Sequence, residues 1–451
     1  MEKFEYAIIG QGAAAFAAAI KADELGIKTI MIGKNVTKGT VIGGTCVNVG
    51  CVPSKRLIFA SNFLDRINKK RFNGLTTYSK LENFKELIKD KDKLISKLRR
   101  EKYKDVLSKL KNVKFIDGLA SFESRNLIKV NNERIQADKI LIATGARINV
   151  PKINGLENVK FLTNEEALSL NKLPKSMIII GGRALGLEFA ELFTHLGVKV
   201  TIVERSDRII PNWEPEISYY LSNYLKEEGI KIIDGAQILR VDSGKNISVK
   251  IKHRNESIEL KAEKLLLATG RKPNIEFLHL DKTNVKINKE GFIIIDKFMR
   301  TSDENIFAAG DVTGEPMLET LAAAEGNKAT INAFTDRKET IDMNSVPSAI
   351  FTFPEAARVG LTDAEAREAG IRCACSTILL KDLPKSMIIK DERGLIKMVI
   401  DSKTKRILGV EILSENAADI INEATLAVKL NLTIDDIIDT IHVFPTLSEM
   451  I

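Results

Sequence analysis

Hydrophobic and polar positions follow one another along this chain in an order that predicts strand, glycine turn, helix and strand. Residues 6–33, YAIIGQGAAAFAAAIKADELGIKTIMIG, show this order, and residues 177–204, MIIIGGRALGLEFAELFTHLGVKVTIVE, repeat it. Matching positions, such as Gly10 and Gly181, are separated by 171 residues throughout, without a gap. Two complete βαβ units at a constant offset predict a duplicated dinucleotide-binding fold.

The glycines of the first unit have separate predicted tasks. Gly10 makes the tight turn, Gly12 lets the backbone approach a pyrophosphate, and Ala15 allows the helix to pack closely on the strand. The N-terminus of the following helix offers backbone N–H groups and the positive end of its dipole to phosphate. In this unit the acid expected at the end of the second strand is replaced by Gly33, which leaves the ribose contact to Lys34 or Asn35.

In the second unit, Gly181 and Gly186 occupy the outer glycine positions, and Arg183 replaces the middle one. The guanidinium of Arg183 either contacts phosphate or points to solvent. Glu204 ends the second strand and is expected to hydrogen-bond the ribose hydroxyls, which favours NADH. Arg205 beside it could accommodate the 2′-phosphate of NADPH.

Two related strings, LIATGAR (141–147) and LLATGRKPN (266–274), each predict a buried strand followed by a glycine turn. Such turns suit crossings of the chain between two nucleotide domains. A third string, IFAAGDV (306–312), predicts a strand that ends in an acidic turn, suited to bind a sugar-like hydroxyl chain. The cofactor-binding positions predicted in these strings are Thr144, Gly145, Gly270 and Asp311.

The composition is that of a globular protein, with 451 residues, 44% hydrophobic and 28% charged. A net charge of +8 is mild for this length, and the densest basic stretch, residues 66–72, resembles a solvated helix face. We therefore expect no nucleic-acid partner. No apolar run reaches the eighteen or so residues of a membrane span, and the first residues enter a strand pattern at once. With only four cysteines, these features predict a cytoplasmic protein without a membrane partner.

Two of the cysteines lie close together in GGTCVNVGCVPSK, residues 43–55. Pro53 rules out a regular helix through both, so Cys46 and Cys51 are expected to meet on an irregular first turn. A helix start and Lys55 one turn later would lower the pKa of Cys51 from about 8.5 and make it a thiolate. These features favour a redox pair over a structural disulfide or a zinc site, which would need two further ligands.

The cysteine motif, the paired nucleotide folds and AAGDV together resemble the flavin-dependent pyridine nucleotide–disulfide oxidoreductases over nearly the whole chain. The resemblance implies an α/β fold with two Rossmann-like domains and a C-terminal α+β interface domain that makes a homodimer. It implies FAD in domain 1–148 and 267–338, NADH or NADPH in domain 149–266, and dimerisation through 339–451. A charged helical hairpin predicted at 82–112 is given no binding role.

The same resemblance implies roles for individual residues. Cys51 would face the flavin and Cys46 would exchange with the substrate, while Lys55 and Glu188 would lie beside the flavin ring. Asp311 would bind the ribityl chain of FAD. Further cofactor contacts are predicted at Gly44 and Thr45.

The C-terminal stretch IHVFPTLSEMI (441–451) bears on the substrate. Family members that act on disulfides use a histidine immediately before this proline as a general base, and Glu449 matches the glutamate that orients it. Here Phe444 precedes Pro445, and His442 matches an earlier, non-catalytic histidine. Thiolates bind Hg(II) without such a base, and residues 376–400 resemble mercuric reductase. We therefore predict reduction of Hg(II) at Cys46 and Cys51.

Three departures from the mercuric reductase pattern accompany this prediction. A C-terminal cysteine pair and an N-terminal metal-binding domain are expected to be absent, and Ala184 and Thr446 replace two tyrosines. Cys373 and Cys375 should point to one face of a strand, either as ordinary small residues or as a metal relay. The alternative functions are dihydrolipoamide dehydrogenase or another disulfide reductase, and a non-catalytic metal-sequestering or redox-sensing flavoprotein.

Overall fold

The computed structural model describes residues 2–34, 42–69 and 71–451, and the chain divides into two compact units. Unit 1 comprises Met1–Ser54, Lys89–Asn149 and Gly270–Ile341, and unit 2 comprises Lys55–Ile88, Val150–Thr269 and Asp342–Ile451. The finer division into three domains stays a prediction. No helix within the described residues is both long enough and apolar enough to span a membrane.

The strands, in chain order, are β1 (Glu2–Ile9), β2 (Thr29–Gly33), β3 (Val113–Asp117), β4 (Ala120–Ser124), β5 (Leu127–Val130), β6 (Glu133–Ile142), β7 (Ala146–Ile148), β8 (Ser176–Ile180), β9 (Lys199–Val203), β10 (Lys231–Ile233), β11 (Ala236–Asp242), β12 (Ile247–His253), β13 (Glu256–Ala262), β14 (Lys264–Leu267), β15 (Arg271–Pro273), β16 (Ile306–Ala308), β17 (Ser348–Ile350), β18 (Glu355–Gly360), β19 (Cys373–Leu379), β20 (Leu395–Asp401) and β21 (Ile407–Ser414).

The helices, in chain order, are α1 (Ala13–Glu24), α2 (Gly44–Val49), α3 (Cys51–Asn68), α4 (Phe84–Arg99), α5 (Asp105–Leu107), α6 (Asn164–Ala167), α7 (Ala184–His195), α8 (Pro215–Glu227), α9 (Glu319–Phe334), α10 (Asp363–Glu368), α11 (Pro384–Ile389), α12 (Ala417–Leu430) and α13 (Ile434–Ile438). A π-helical segment, Arg100–Lys104, joins α4 to α5.

Unit 1 is built on a sheet with strand order β3-β2-β1-β6, in which neighbouring strands are parallel. The end of β6 also pairs in parallel with β16, while its beginning pairs antiparallel with β5, which in turn pairs antiparallel with β4. Helix α1 crosses α9 so closely that a Cβ on Gly326 would lie 2.0 Å from the carbonyl oxygen of Ala14. This crossing explains the alanine-rich sequence of α1, because larger side chains would hold the helices apart.

Unit 2 contains a parallel sheet of order β10-β9-β8-β14, a three-stranded antiparallel sheet β11-β12-β13, and a five-stranded antiparallel sheet β17-β18-β21-β20-β19. Helix α7 packs on the parallel sheet, and α12 packs on β18 and β21 of the five-stranded sheet. The predicted α/β class with two dinucleotide-binding folds and an α+β C-terminal part is confirmed.

The internal repeat is also confirmed in its geometry. Helices α1 and α7 begin and end at positions separated by 171 residues, the offset read from the sequence. The predicted hairpin at 82–112 is wrong, because α4, the π-helical segment and α5 form one uninterrupted helical run. The charged pattern of this stretch matches one helix face from end to end and contains no turn signal that would divide it.

Candidate active site

The first glycine turn of unit 1 brings two helix N-termini together. Gly12 is the N-cap residue of α1, and a Cβ on Gly44, at the start of α2, would lie 2.6 Å from the Cα of Gly12. The N–H of Gly43 donates to the carbonyl of Gln11 at 2.9 Å and fixes this approach. Two backbone segments without side chains thus form a cradle, whose open space and exposed N–H groups would suit a phosphate group.

Gly10 and Ala15 allow the close backbone packing around this cradle. Gly10 has a φ of +152°, and a Cβ there would lie 2.2 Å from the carbonyl oxygen of Ala143 in the LIATG string. Ala15 is fully buried where α1 packs on the sheet. The Gly33 position is closed to an acid, since a Cβ would lie 2.8 Å from Cβ and Oε1 of Gln11.

Of the two residues proposed to replace that acid, Lys34 is exposed at the end of β2, and Asn35 lies outside the described residues.

The two cysteines lie on consecutive helices, which differs from the single irregular turn expected. Cys46, next to Thr45, lies inside α2, and Cys51 is the first residue of α3. Gly50 separates the helices, and a Cβ there would lie 2.9 Å from the carbonyl oxygen of Thr45. Gly50 therefore lets the chain turn sharply enough to bring Cys51 back beside Cys46.

Both side chains are thiols, and they are hydrogen-bonded to each other. That hydrogen bond, together with burial, raises the pKa of Cys46, and the negative charge of Glu319 raises it further. Cys46 therefore holds its proton and shares it with the sulfur of Cys51. The arrangement suits a pair of sulfurs that act together on one substrate atom.

In unit 2, Lys55 and Glu188 form a close ion pair. Lys55 Nζ lies 2.7 Å from Glu188 Oε2, and the second oxygen of Glu188 accepts the backbone N–H of Phe351 at 3.1 Å. The ammonium also lies 4.7 Å from the centre of the Phe351 ring. The two residues paired from sequence are thus in direct contact, which holds the lysine in one position.

Two buried polar atoms in unit 1 have no hydrogen-bond partner within the described residues. They are Thr144 Oγ1 and Arg271 Nε. Arg271 Nη2 donates to the carbonyl of Ala146, while its Nε is 3.8 Å from Asp311 Oδ2, too far for a hydrogen bond. Burial raises the pKa of Asp311. Unpaired buried donors and acceptors are costly, so these groups point to a polar ligand.

The glycine turns of the two ATG strings lie at the chain crossing. Gly145 and Gly270 both have positive φ, +69° and +84°, and the strands that follow them, β7 and β15, pair antiparallel. Asn274 donates its backbone N–H to Gly145 at 3.0 Å and its side-chain amide to Thr144 at 3.0 Å. The crossing predicted from sequence is therefore a two-stranded ribbon beside Thr144.

The second glycine turn repeats the first in unit 2. A Cβ on Gly181 would lie 2.3 Å from the carbonyl of Ala268, and one on Gly186 would lie 1.9 Å from the carbonyl of Gly181. The carboxylate of Glu204 is buried and accepts the backbone N–H groups of Gly182 at 2.5 Å and Ser206 at 2.8 Å.

The two basic residues of this turn are exposed. Arg183 is the N-cap residue of α7, and Arg205 follows Glu204 directly.

At the C-terminus, neither ring nitrogen of His442 is without a partner. Nε2 lies 2.7 Å from Glu423 Oε1 and Nδ1 lies 2.9 Å from the carbonyl of Thr440. Phe444 is 70% exposed, and Glu449 accepts the backbone N–H of Thr446 at 2.8 Å. The carboxylate of Glu449 therefore stabilises the C-terminal turn that contains Pro445.

The sequence prediction missed Tyr103, which lies on the π-helical segment. A Cβ on Gly43 would lie 3.2 Å from the Tyr103 ring, which also packs edge-on against Phe16. Burial raises the pKa of Tyr103 to about 12, and negative charge on Glu319 and the two cysteines adds to this effect. The available signal was an aromatic residue in an otherwise charged helix.

Comparison with known families identifies the fold. Residues 4–326 match the pyridine nucleotide-disulphide oxidoreductase profile, and residues 346–451 match the dimerisation domain of the same proteins. The chain belongs to the pyridine nucleotide-disulphide oxidoreductase family. It is thus an NAD(P)H-dependent flavoprotein oxidoreductase, and the dimerisation domain supports a homodimer. The non-catalytic alternative considered from sequence is set aside.

Several family members are similar over most of their length. A mercuric reductase from Lysinibacillus sphaericus is 41% identical over 99% of this chain and 81% of that protein, and one from Staphylococcus aureus is 39% identical with the same coverage. The HOCl-induced flavoprotein disulfide reductase RclA from Escherichia coli has a TM-score of 0.87 and 29% identity, covering 99% of this chain and 98% of RclA.

Membership of this family implies FAD and a nicotinamide cofactor, and unit 1 fits FAD. The Gly12–Gly44 cradle has room for a pyrophosphate because neither residue has a Cβ. The unpaired atoms of Thr144 and Arg271 could contact the rest of the cofactor. Arg271 was not among the residues predicted from sequence, although it directly follows Gly270 within the second string, LLATGRKPN.

Proposed function

We propose that this enzyme reduces Hg(II) to Hg(0) with electrons from NAD(P)H, and that Cys46 and Cys51 bind the metal. The observation that carries the proposal is the hydrogen-bonded thiol pair at the junction of α2 and α3, beside the glycine cradle. Soft thiolate ligands select soft metal ions. The similarity to mercuric reductases over nearly the whole chain supports the same substrate.

The proposed reaction balances with these two sulfurs. Hg²⁺ displaces one proton from each thiol and forms two Hg–S bonds. Two electrons from NAD(P)H break both bonds, release Hg(0), and leave two sulfurs that take up protons again. The net change is Hg²⁺ + NAD(P)H → Hg(0) + NAD(P)⁺ + H⁺. Bound FAD supplies the two-electron relay between the nicotinamide and the sulfur-bound metal.

Two residues outside the cysteine pair, Lys55 and Phe444, bear on the proposed chemistry. Lys55, four residues after Cys51 on α3, contributes a positive charge whose place is fixed by Glu188 and by the Phe351 ring. Protonation of a leaving thiolate needs a general acid, such as the protonated form of a histidine, and the residue before Pro445 is Phe444. This substitution is compatible with metal reduction, because metal–sulfur bonds break without a proton carrier at that position.

For the nicotinamide cofactor we propose a preference for NADH. Glu204 is buried at the end of β9 with its carboxylate bound to the glycine turn. A fixed negative charge at this place would repel a 2′-phosphate. Arg205 is exposed and adjacent, so the preference is expected to be moderate.

A second candidate is reduction of a disulfide, which the likeness to RclA favours because that protein is described as a disulfide reductase. This candidate predicts rapid NADH oxidation with disulfides such as lipoamide or oxidised glutathione. The metal reductase predicts slow turnover of those disulfides, since the general base is replaced by Phe444.

The deciding experiment is anaerobic. The FAD-loaded enzyme receives NADH and Hg(II) with excess low-molecular-weight thiol, and both NADH absorbance and mercury vapour are measured. We expect one mercury atom released for each NADH oxidised, and loss of both signals in Cys46→Ser and Cys51→Ser. NADH oxidation without mercury vapour would contradict the proposal, and rapid turnover of disulfides alone would favour the second candidate.

A further inference from the structure

Three metal-binding side chains converge in unit 2. Cys373 and Cys375 lie on β19, and their sulfurs are 3.1 Å and 3.2 Å from the same carboxylate oxygen, Oδ1 of Asp363. The two sulfurs and one carboxylate oxygen all lie within 4.8 Å of one another. This group includes neither of the cysteines assigned to Hg(II) reduction.

The backbone explains why these side chains meet. Cys373 and Cys375 are two residues apart on a strand, so both side chains leave the same face. Strand β19 lies at the edge of its sheet, paired with β20. Asp363 begins helix α10, which packs against β19. A strand face with two thiols is thus covered by a helix that presents a carboxylate.

A second acid beside the thiols is already engaged. Asp401 is the cross-strand partner of Cys373, but its carboxylate accepts the backbone N–H groups of Lys403 at 2.8 Å and Thr404 at 3.2 Å. The same Oδ1 serves both of those contacts. Asp363 is therefore the acid placed to complete a site with the two sulfurs.

The charges nearby suit a bound cation with anionic ligands. Arg367 Nε donates to Asp363 Oδ1 at 3.0 Å and lowers the pKa of Asp363 to about 2. Burial and the Asp363 charge raise the pKa of Cys375 to about 12. Two thiolates, one carboxylate and a divalent cation carry a net charge of −1, which the Arg367 guanidinium balances.

We propose that Asp363, Cys373 and Cys375 form a second metal site that binds a thiophilic divalent cation of the Zn²⁺ class. The metal displaces one proton from each thiol and takes the carboxylate as its third ligand, with the fourth position left open. Sulfur and oxygen ligands at about 2.0–2.3 Å from zinc are separated from each other by roughly 3.3–4.6 Å. The observed separations need only a small adjustment to reach that range.

The site is open to ions from solvent. Cys375 is exposed, and Cys373 and Asp363 are partly exposed. The competing interpretation is that both cysteines are ordinary strand residues whose thiols donate to an acid. That interpretation predicts no tight metal binding at this place.

Zn²⁺ is the probe, because it binds thiolates and is not reduced by the enzyme. The FAD-loaded dimer carrying Cys46→Ser and Cys51→Ser is fully reduced, freed of reductant under anaerobic conditions, and titrated with Zn²⁺ against a chromophoric chelator. We expect one tight equivalent per chain. Adding Cys373→Ser and Cys375→Ser should remove it, and adding Asp363→Asn should weaken binding at least about tenfold.

The matched control is Ala374→Ser with Ser376→Ala, which changes the opposite face of the same strand. This control variant should still bind one Zn²⁺ per chain tightly. If the double cysteine variant loses flavin or unfolds, Cys375→Ser alone provides the same test. The proposal would be overturned if the variant without Cys375 still bound one Zn²⁺ per chain tightly, or if the starting protein bound no Zn²⁺ tightly. Either result is independent of Hg(II) reduction, because the active-site cysteines are absent throughout.

Discussion

Glu188 holds Lys55 with one oxygen and the backbone N–H of Phe351 with the other, at 2.7 Å and 3.1 Å. The side chain of Glu188 is almost fully buried, while that of Lys55 is 31% exposed. The carboxylate therefore links Lys55 on α3 to Phe351, the residue that directly follows strand β17.

We predict that Glu188→Gln lowers the free energy of unfolding by about 1–3 kcal/mol, because a buried hydrogen-bonded charge pair loses one charge. The activity of the folded protein should also fall, since Lys55 is no longer held in place. Thermal unfolding and Hg(II)-dependent NADH oxidation measure the two effects. Glu256→Gln, at an exposed position, is the control and should change neither. Full activity in Glu188→Gln would show that the pair has only a structural task.

The Gly12–Gly44 approach predicts a specific loss of flavin. In Gly44→Ala, the added methyl carbon would lie 2.6 Å from the Cα of Gly12, so the cradle must open. Gly26→Ala is the matched control, because Gly26 has a similar φ, +71° against +69°, and nothing within 4 Å of the added atom. Both variants carry backbone strain of about 1–2 kcal/mol. Only Gly44→Ala should lose FAD, measured as flavin absorbance per chain, and equal retention would contradict the cradle.

Glu411 predicts a pH dependence of stability. Burial raises its pKa to about 8, although Arg358 and the N–H of Glu214 oppose this. In the unfolded chain the pKa is near 4.3, so between these values the folded state binds one more proton. The contribution of Glu411 to the free energy of unfolding is greatest below the unfolded-state pKa. It falls as the pH rises, by up to about 1.4 kcal/mol per pH unit, until about pH 8.

The variant Glu411→Gln should remove this dependence, because an amide cannot ionise. Its free energy of unfolding relative to the natural chain should rise from pH 5 to pH 8, the upper limit set by the Glu411 pKa. Denaturant unfolding at four or five pH values measures the trend. A constant difference across the range would mean that Glu411 is already ionised at pH 5.

Position 444 is expected to decide between metal and disulfide. In Phe444→His an imidazole precedes Pro445, and Glu449 follows five residues later. We expect turnover of lipoamide or oxidised glutathione to rise at least about tenfold, in line with a typical general-base contribution of 10²–10⁴. Hg(II) reduction should stay within about twofold. Phe444→Leu controls for loss of the ring, and a large fall in Hg(II) reduction in both variants would assign Phe444 a direct part in that reaction.

Cofactor preference is expected to depend on Glu204 and Arg205. Glu204→Gln removes a charge near the expected ribose position and should raise the kcat/KM ratio of NADPH to NADH about tenfold. Arg205→Ser should shift the ratio in the opposite direction. Steady-state kinetics with both nucleotides measure the ratios. If neither substitution moves them, the nucleotide is distinguished by other residues.

The repeat and the glycine turns followed from the sequence because they depend on fixed spacing and local backbone geometry, whereas the Lys55–Glu188 pair was expected only from the family resemblance. Residues brought in from distant segments did not. Tyr103 reaches Gly43 only because α4 continues through a π-helical segment, and a pattern of charges carries no sign of that continuation. The orientation of Cys373 and Cys375 was predicted, but their meeting with Asp363 depends on how α10 packs.

In each of the two βαβ units, the first glycine of the turn lies against the carbonyl of an alanine. This contact limits how the two units can diverge in sequence. Gly10 touches Ala143, and Gly181 touches Ala268 in the same manner. A mutation that adds a side chain at either glycine cannot be rescued by a smaller residue at its neighbour, because the obstacle is main chain. Both glycines should therefore stay unchanged long after the residues around them have diverged beyond recognition. They offer a reliable anchor for aligning distantly related sequences.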